Sequence, residues 1–313
     1  MYHIIINPAS KSGQGIAIWK ELEPIFAEKE IPYRLQYSDG PGHIVSLVSR
    51  LTDPGVPGDF PVKLIVLGGD GTMNEVIQGI QDFNRVEIGY IPTGSSNDLA
   101  RDLKYSKDPK EQLLRILSGE HKRVMDLGQI TYLDHPEVPP RRFTVSGGIG
   151  FDAAVCVDAM HPGGIKKLLN KIGLGKLTYV SIALKQLLGS KYIPCKLTLD
   201  NEEPRYLKRF IFIAGMNHRY EGGGFLFAPH ASDHDGRLDL CIVGPISKAL
   251  ILFALPTAFF GKHTLFPHIE VRQASSARIR TDAPLWVHTD GEVHYQSADV
   301  EMKVLPGLLH MLA

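Results

Sequence analysis

The chemistry in this chain is most concentrated where an apolar run stops at a cluster of glycines around one acid. Val62 to Glu75 reads V-K-L-I-V-L-G-G-D-G-T-M-N-E. Gly68, Gly69 and Gly71 can take backbone angles closed to other residues and leave no side chains in the way, so main-chain N–H groups there can close on a phosphate. Asp70 stands among them, and a carboxylate inside a phosphate cradle makes sense with a cation such as Mg²⁺ between the two. Gly-Asp-Gly is also an ordinary tight turn in which Asp supplies a local hydrogen bond, so the flanking elements have to separate the two readings.

Other stretches carry chemistry of the same kind. Asn7 to Gly15, N-P-A-S-K-S-G-Q-G, is a small, polar loop that a nucleotide could lie against, with Lys11 available for a phosphate; a plain strand-to-helix loop has the same composition. Pro92 to Arg101, P-T-G-S-S-N-D-L-A-R, is a further Gly/Ser/Thr loop, in which Asn97 or Asp98 suits a helix cap. Asp126 breaks the apolar run R-V-M-D-L-G and needs a partner, either a cation or a basic neighbour. Ala228 to Leu240, A-P-H-A-S-D-H-D-G-R-L-D-L, sets Asp233, Asp235 and Asp239 near a Gly turn, as a Ca²⁺ or Mg²⁺ loop would, although an acidic β-turn has that pattern too. Asp290 in T-D-G-E ends the strand carrying Trp286 and His288. It could accept a proton from a substrate hydroxyl, or simply shape a hairpin turn.

These residues need elements to hold them. Tyr2–Ile6, Tyr33–Tyr37, Leu64–Leu67 and Glu87–Ile91 read as strands, the third a continuous apolar run of the kind buried on both faces of a parallel sheet. Helical spacing follows each: Ile18, Leu22, Ile25 and Phe26; then Ile44, Leu47, Val48 and Leu51; then Met73, Val76, Ile77 and Ile80; and further on Leu113, Leu114, Ile116 and Leu117. Three polar loops at the ends of alternating strands describe one crevice along a parallel sheet, where ligands of α/β folds bind. From Gln129 the pattern changes to short β-rich runs, at 143–145, 196–199, 210–214, 238–243, 277–281 and 285–288, expected to form an antiparallel sandwich or barrel. Helical patterns interrupt it at 153–160, 177–188 and 247–260. The expected organisation is an α/β domain over 1–128 and a β-sandwich over 129–299, with a last strand and helix, 300–313, returning to the first domain.

Composition narrows the classes. The chain has 313 residues, 43% hydrophobic and 22% charged, as an ordinary globular protein has, and its length suits two domains. Lys plus Arg and Asp plus Glu are 34 each, which leaves no global footprint for nucleic acid. Cys156, Cys195 and Cys241 lack metal or disulfide spacing and suit a reducing cytosol. The most apolar segment, Ala249–Gly261, is interrupted by Pro256 and is too short to span a bilayer, and no signal peptide is expected at the N-terminus. Between Asp158 and Asp200 there is no acid, while Lys166, Lys167, Lys171, Lys176, Lys185, Lys191 and Lys196 alternate with apolar residues. That stretch could seat the protein on an anionic lipid surface or form a solvated helix face. Within it G-L-G-K-L-T is not a P-loop, because Leu177 stands where Ser or Thr should follow the Lys.

Taken together, N-P-A-S-K-S-G, G-G-D-G-T, P-T-G-S-S-N-D-L-A-R, D-L-G, G-I-G-F-D (Gly148–Asp152), G-G-G-F (Gly222–Phe225), A-P-H-A, D-G-R-L-D and D-G-E resemble, in order and spacing, the diacylglycerol kinase catalytic family. That family includes soluble bacterial lipid kinases and the sphingosine and ceramide kinases, and the resemblance runs nearly the whole length. It implies an N-terminal α/β domain similar to phosphofructokinase and NAD kinase, a C-terminal β-sandwich, and ATP between them. By motif, Asn7, Ser12, Gly69, Gly71, Thr72, Thr93, Gly94 and Asn97 would line the nucleotide. Asp70, Asp98 and Asp126 would hold a catalytic Mg²⁺, partly through waters, with Asp70 counted in the catalytic machinery beside Asp290, the general base. Asp235, with the carbonyls of Ser232 and Arg237, would form a structural Mg²⁺ site. Ser95 and Leu99 depart from the commoner Thr and Phe. The implied activity is ATP-dependent phosphorylation of a lipid hydroxyl, foremost diacylglycerol to phosphatidic acid, by a cytoplasmic enzyme peripheral to the inner membrane face, with a homodimer permitted by an exposed sheet edge. Rival readings are a kinase for another lipid or a soluble alcohol, as NAD kinase is, and a nucleotide sensor without catalysis.

Overall fold

The computed structural model describes residues 1–55, 60–160, 186, 187, 189 and 192–312. Two units result, Met1–Leu127 with Pro306–Ala313, and Gly128–Leu305.

In the first unit, β1 (Tyr2–Ile6), β2 (Tyr33–Tyr37), β3 (Val62–Gly68) and β4 (Val86–Pro92) form a parallel sheet in the order β2-β1-β3-β4. The helices α1 (Ser10–Gly13), α2 (Gly15–Glu28), α3 (His43–Leu51), α4 (Asp70–Gly79), α5 (Asp98–Asp102) and α6 (Pro109–Ser118) follow these strands in the chain. Ile4, Ile6, Ile65, Leu67 and Ile91 pack with Trp19, Leu22 and Phe26 of α2 and with Leu113 and Ile116 of α6. The alternate residues Ile5, Leu64 and Val66 are also fully buried, so β1 and β3 have no solvent face. Truncating Ile65 or Leu67 to Ala would cost about 2–5 kcal/mol. Because β1, β3 and β4 are adjacent and parallel, the loops that leave their C-terminal ends are neighbours.

The second unit is antiparallel. It contains β6 (Arg141–Phe143), β7 (Ser146–Gly150), β8 (Ile193–Leu199), β9 (Arg205–Phe210), β10 (Phe212–Met216), β11 (Leu238–Val243), β12 (Ile269–Ala274) and β13 (Ser276–Thr289). Two strands pass from one unit into the other, β5 (Lys122–Tyr132) and β14 (Glu292–Leu312). Strands β12-β11-β10-β7-β13 lie side by side, and β8 joins β13 to β9. Strand periodicity divides their side chains between two cores. Ile149, Ile213, Leu240, Ile242 and Val287 enter the sandwich core with Phe143, Ile279 and Met302. Phe212, Ala214, Cys241 and Val243 face the other way, against Phe151 of α7 (Phe151–Met160) and Ile251 and Ala254 of α8 (Lys248–Thr257). The family of folds expected from the sequence, a parallel α/β domain followed by a β-sandwich domain, is the one observed.

Two local expectations fail. The chain from Val300 to Leu312 is not a strand and a helix but the end of β14, and Met311 and Leu312 pair in parallel with Ile88 and Gly89 of β4. Pro306 and Gly307 explain this: proline cannot donate to a helical ladder, and glycine disfavours a helix that would start beside it. The run expected at 143–145 is two strands, β6 and β7, separated by Thr144 and Val145. Most of the helix expected at 177–188 and of the lysine-rich stretch lies outside the described residues, although Lys196 is exposed on β8. Among the described residues, no helix is long and apolar enough to cross a membrane.

Candidate active site

In the first unit the three loops are tied together by their own polar groups. Asn7 Nδ2 donates to Thr72 Oγ1 at 3.0 Å, and Thr93 Oγ1 donates to Ser10 Oγ at 2.9 Å. Thr93 N–H donates to the Gly68 carbonyl at 2.7 Å, which fixes the third loop against the end of β3. Gly69 and Gly94 touch backbone to backbone. A Cβ built on Gly94 would stand 2.5 Å from Gly69 Cα, and one on Gly69 would stand 2.9 Å from Gly94 Cα, so neither position admits a side chain. Asn97, at φ +50, brackets the same glycine, accepting from Gly94 N–H at 2.8 Å and donating to its carbonyl at 2.9 Å. Gly71 and Thr72 lie in the first turn of α4, whose N-terminal N–H groups favour an anion. Ser12 belongs to α1, and its side chain is outside the described set.

The acids of this unit have specific partners. Asp70 accepts from the backbone N–H groups of Asp98 at 2.9 Å and Leu99 at 3.4 Å. Asn97 makes no side-chain cap, so Asp70, distant in sequence, serves the N-terminus of α5 that the sequence assigned to Asn97 or Asp98. Buried Asp98 pairs with Arg101 at 2.6 Å, and buried Asp126 accepts from Gly307 N–H at 2.7 Å. Among the described residues, a single group of three His, Cys, Asp or Glu side chains has ligand atoms within 4.8 Å of one another, and it is not this one. The donor set therefore suits an Mg²⁺ carried by phosphate oxygens and waters with a carboxylate or two nearby, and does not suit a cage made by the protein alone.

In the second unit Asp290 sits at the β13–β14 turn with φ +52, followed by Gly291 at φ +83. Its carboxylate accepts from Thr144 N–H (2.9 Å), Thr144 Oγ1 (3.1 Å), Val145 N–H (2.8 Å) and Ser146 N–H (3.1 Å). Both oxygens are thus aimed by the segment between β6 and β7, and three of the four donors are main chain and cannot rotate. On the acidic loop, Asp235 is exposed and closes a turn onto Arg237 N–H at 3.0 Å, buried Asp233 pairs with His234 at 2.7 Å, and buried Asp239 accepts from Gln273 at 3.3 Å. Burial pushes the Asp239 carboxyl up. The three acids of that loop do not converge, and Ser232 stands beside them, with Oγ 3.3 Å from His234 Nδ1.

The group that does converge was assigned no role from the sequence: Asp152, Glu221 and His288. His288 Nε2 is 3.1 Å from Asp152 Oδ2 and 3.4 Å from Glu221 Oε1, and the ring is fully buried. Burial works against its charge. The hydrogen bond to Asp152 and the charges of Asp152, Glu221 and Asp290 outweigh burial and push the imidazole up to about 9. Nδ1 receives only a long 3.3 Å contact from Gly291 N–H, which the charged ring gives up. Gly148, in G-I-G-F-D, makes the pair possible, since a Cβ there would overlap Asp152 Oδ2 and lie 2.5 Å from His288 Nε2.

Asp152, Glu221 and His263 line one pocket with Phe151, Phe225, Phe227 and Ile251, a largely apolar space of about 860 Å³ counted to its open mouth. Cys156 and Cys241 also line it; burial raises both thiols, and with Cys195 all three cysteines are free. A carboxylate at such a wall, when ionised, is a pure hydrogen-bond acceptor.

Comparison with known proteins joins these two halves. Residues 1–130 match the diacylglycerol kinase catalytic domain, and residues 149–313, more than half of the chain, match the YegS C-terminal NAD kinase beta sandwich-like domain. The chain belongs to the family that carries a diacylglycerol kinase catalytic domain followed by a YegS C-terminal domain. It is a kinase with an alcohol group as acceptor. YtlR of Bacillus subtilis (strain 168) is 29% identical over 298 residues, 93% of each chain. A diacylglycerol kinase of Mycobacterium tuberculosis (strain ATCC 25618 / H37Rv) is 27% identical over 250 residues, 80% of this chain and 76% of that one. The crystal structure of a diacylglycerol kinase from Bacillus anthracis str. Sterne superposes with a TM-score of 0.73 at 20% identity, covering 99% of this chain and 96% of the other, a likeness of fold.

Proposed function

We propose that this chain is an ATP-dependent lipid kinase that transfers the γ-phosphate of ATP to a lipid hydroxyl, with diacylglycerol to phosphatidic acid as the leading reaction. The observation that carries this reading is the apolar pocket of the second unit with the Asp152 and Glu221 carboxylates in its wall. A polyol or nucleotide acceptor would require a polar pocket; hydrocarbon with a hydroxyl at one end suits this one.

Phosphoryl transfer asks a protein mainly for alignment and for charge to meet the phosphate oxygens. Asn7, Ser12, Gly69, Gly71, Thr72, Thr93, Gly94 and Asn97 would line the nucleotide, with the main-chain N–H groups at the start of α4 turned to phosphate oxygens. Mg²⁺ on the triphosphate supplies neutralisation of those oxygens, and Asp70, Asp98 and Asp126 would hold it in company with waters. Asp290 takes the proton of the acceptor hydroxyl as that oxygen bonds to phosphorus and the bridging P–O bond breaks to release ADP. Its two oxygens accept from Thr144 N–H and Oγ1, Val145 N–H and Ser146 N–H, which fixes the orientation of the carboxylate. Thr144 Oγ1 is a donor that can rotate away, which would withdraw one of the hydrogen bonds on Oδ2. A second reading gives the base to Asp152, because it lines the pocket and is oriented by His288.

The test is transfer from γ-labelled ATP to dispersed diacylglycerol, monoacylglycerol, sphingosine and ceramide, set against NAD and sugar phosphates. Label is expected in an extractable lipid phosphate. Label passing to NAD or sugar phosphate alone would give the site to a soluble alcohol. The loop 232–237 is proposed to hold a structural Mg²⁺ through Asp235 and the carbonyls of Ser232 and Arg237, to be checked by thermal unfolding with and without the ion.

A further inference from the structure

Helix α8 and the turns after it have an apolar surface far larger than their packing uses. Residues 248–257 read K-A-L-I-L-F-A-L-P-T, with Lys248 the one charge. A helix apolar all round belongs in a core or against lipid, yet Ile251 and Ala254 are its only buried residues. Phe253 is 71% exposed, Phe260 75% and Leu265 80%, with Leu252 at 38%. Single exposed apolar residues need no explanation, but a cluster of this size on consecutive turns marks an interaction surface.

Its position says what kind. Ile251, Ala254, Leu255 and Ala258 form one wall of the acceptor pocket, so the same helix has the pocket on one side and the exposed cluster on the other. Phe259 stacks on pocket-lining Phe225 at 4.1 Å between ring centroids, and Phe225 stacks on Phe227 at 5.4 Å. An aromatic layer thus runs unbroken from the pocket wall to the outer surface. Charge points the same way, since between Asp239 and Glu270 there is no acidic residue, while Lys248 and Lys262 stand on either side of the exposed phenylalanines. Aromatic and aliphatic side chains flanked by lysines and free of carboxylates are what an anionic bilayer interface attracts.

We propose that Leu252, Phe253, Phe260 and Leu265 insert into the interfacial layer of an anionic membrane, and that the acceptor lipid reaches the pocket along α8 without crossing water. The second clause rests on the lipid-kinase reading; the first does not. This places the membrane contact on α8, and it needs nothing from the lysine-rich stretch outside the described residues.

The experiment measures co-sedimentation of the full chain with phosphatidylcholine–phosphatidylglycerol vesicles, for the wild type and for Phe253→Ser combined with Phe260→Ser. Both residues are exposed and outside the pocket, so the variant is expected to unfold at the wild-type temperature and to phosphorylate a short-chain, water-dispersed diacylglycerol at the wild-type rate. Its vesicle partitioning is expected to fall by roughly tenfold or more, given the apolar area withdrawn from lipid. Phe253→Trp supplies a second readout, a blue-shifted difference emission on adding vesicles. A wild type that does not partition, or a double variant that partitions equally, overturns the proposal. So does a concentration-dependent dimer that the variant dissociates without any vesicle binding, which gives the surface to a second copy of the chain. Loss of partitioning in a protein that phosphorylates no lipid upholds the surface and removes the kinase reading instead.

Discussion

The glycine loops of the first unit and the pocket of the second are both organised around carboxylates, but by opposite means. At the loops, main chain meets main chain: Gly69 lies on Gly94, Thr93 N–H bonds the Gly68 carbonyl, and Asp70 receives the N–H groups that open α5. At the pocket, side chains meet side chains: Asp152 and His288, 136 residues apart, pair across a glycine in a wall of phenylalanine and aliphatic groups. Main-chain cradles bind what every nucleotide triphosphate shares, whereas side-chain pockets set what differs between acceptors. Asp290 belongs to both styles, being a side chain held by three main-chain N–H groups.

The largest effect should come from Asp290. Asp290→Asn keeps the hydrogen-bond geometry on one side of the group and removes the base, so turnover should fall by roughly 10²–10⁴-fold with ATP affinity retained. If instead Asp152→Asn produces that fall and Asp290→Asn leaves turnover near wild type, the base lies in the pocket.

Two glycine substitutions then separate the regions. Gly94→Ala drives a methyl into the Gly69 backbone and Gly148→Ala drives one into the Asp152–His288 pair. Each should cost about 1–3 kcal/mol of stability, as overpacking does. Calorimetry should show weakened ATP binding for Gly94→Ala alone, and steady-state kinetics a raised acceptor KM for Gly148→Ala alone. Equal effects of both variants on both ligands would erase the distinction drawn here.

The pocket side should also carry a pH signature. His288 is raised from 6.5 to about 9, so its contribution to stability is complete below pH 6.5 and is lost as pH rises through about 9. The unfolding free energy should decline across that window, by on the order of a few kcal/mol at most, and the slope should flatten in His288→Gln. An unchanged slope would mean that the ring is neutral in the fold. The smallest effect is expected at Asp235, where Asp235→Ala should shift stability by less than about 0.5 kcal/mol without divalent ions and should abolish any added stability that Mg²⁺ gives the wild type.

The same contrast explains what could be read from sequence. Strands β1, β3 and β4 and their loops were legible because apolar runs, glycine clusters and helical spacing are local signals. The sandwich was legible as a change of period near Gln129. Asp152, Glu221 and His288 were not, because nothing in their neighbourhoods shows that three strands and a helix bring them together; the visible signal was Gly148, whose smallness has its reason 140 residues away at His288. Asp70 was read as a metal ligand, while its place at the start of α5 depends on the adjacency of β3 and β4. The end of the chain differs from the helix expected there, because Pro306 and Gly307 break a helical pattern and Met311 and Leu312 find a strand partner in β4, about 220 residues back in the sequence.

The central claim is that a lipid alcohol occupies the pocket beside Asp152 and accepts the phosphate there. Ala254→Phe adds a large side chain to that pocket from α8. Steady-state kinetics on diacylglycerol, with ATP binding measured alongside, should show the acceptor KM raised by roughly tenfold or more and ATP affinity unchanged; wild-type kinetics toward the lipid in that variant would contradict the account.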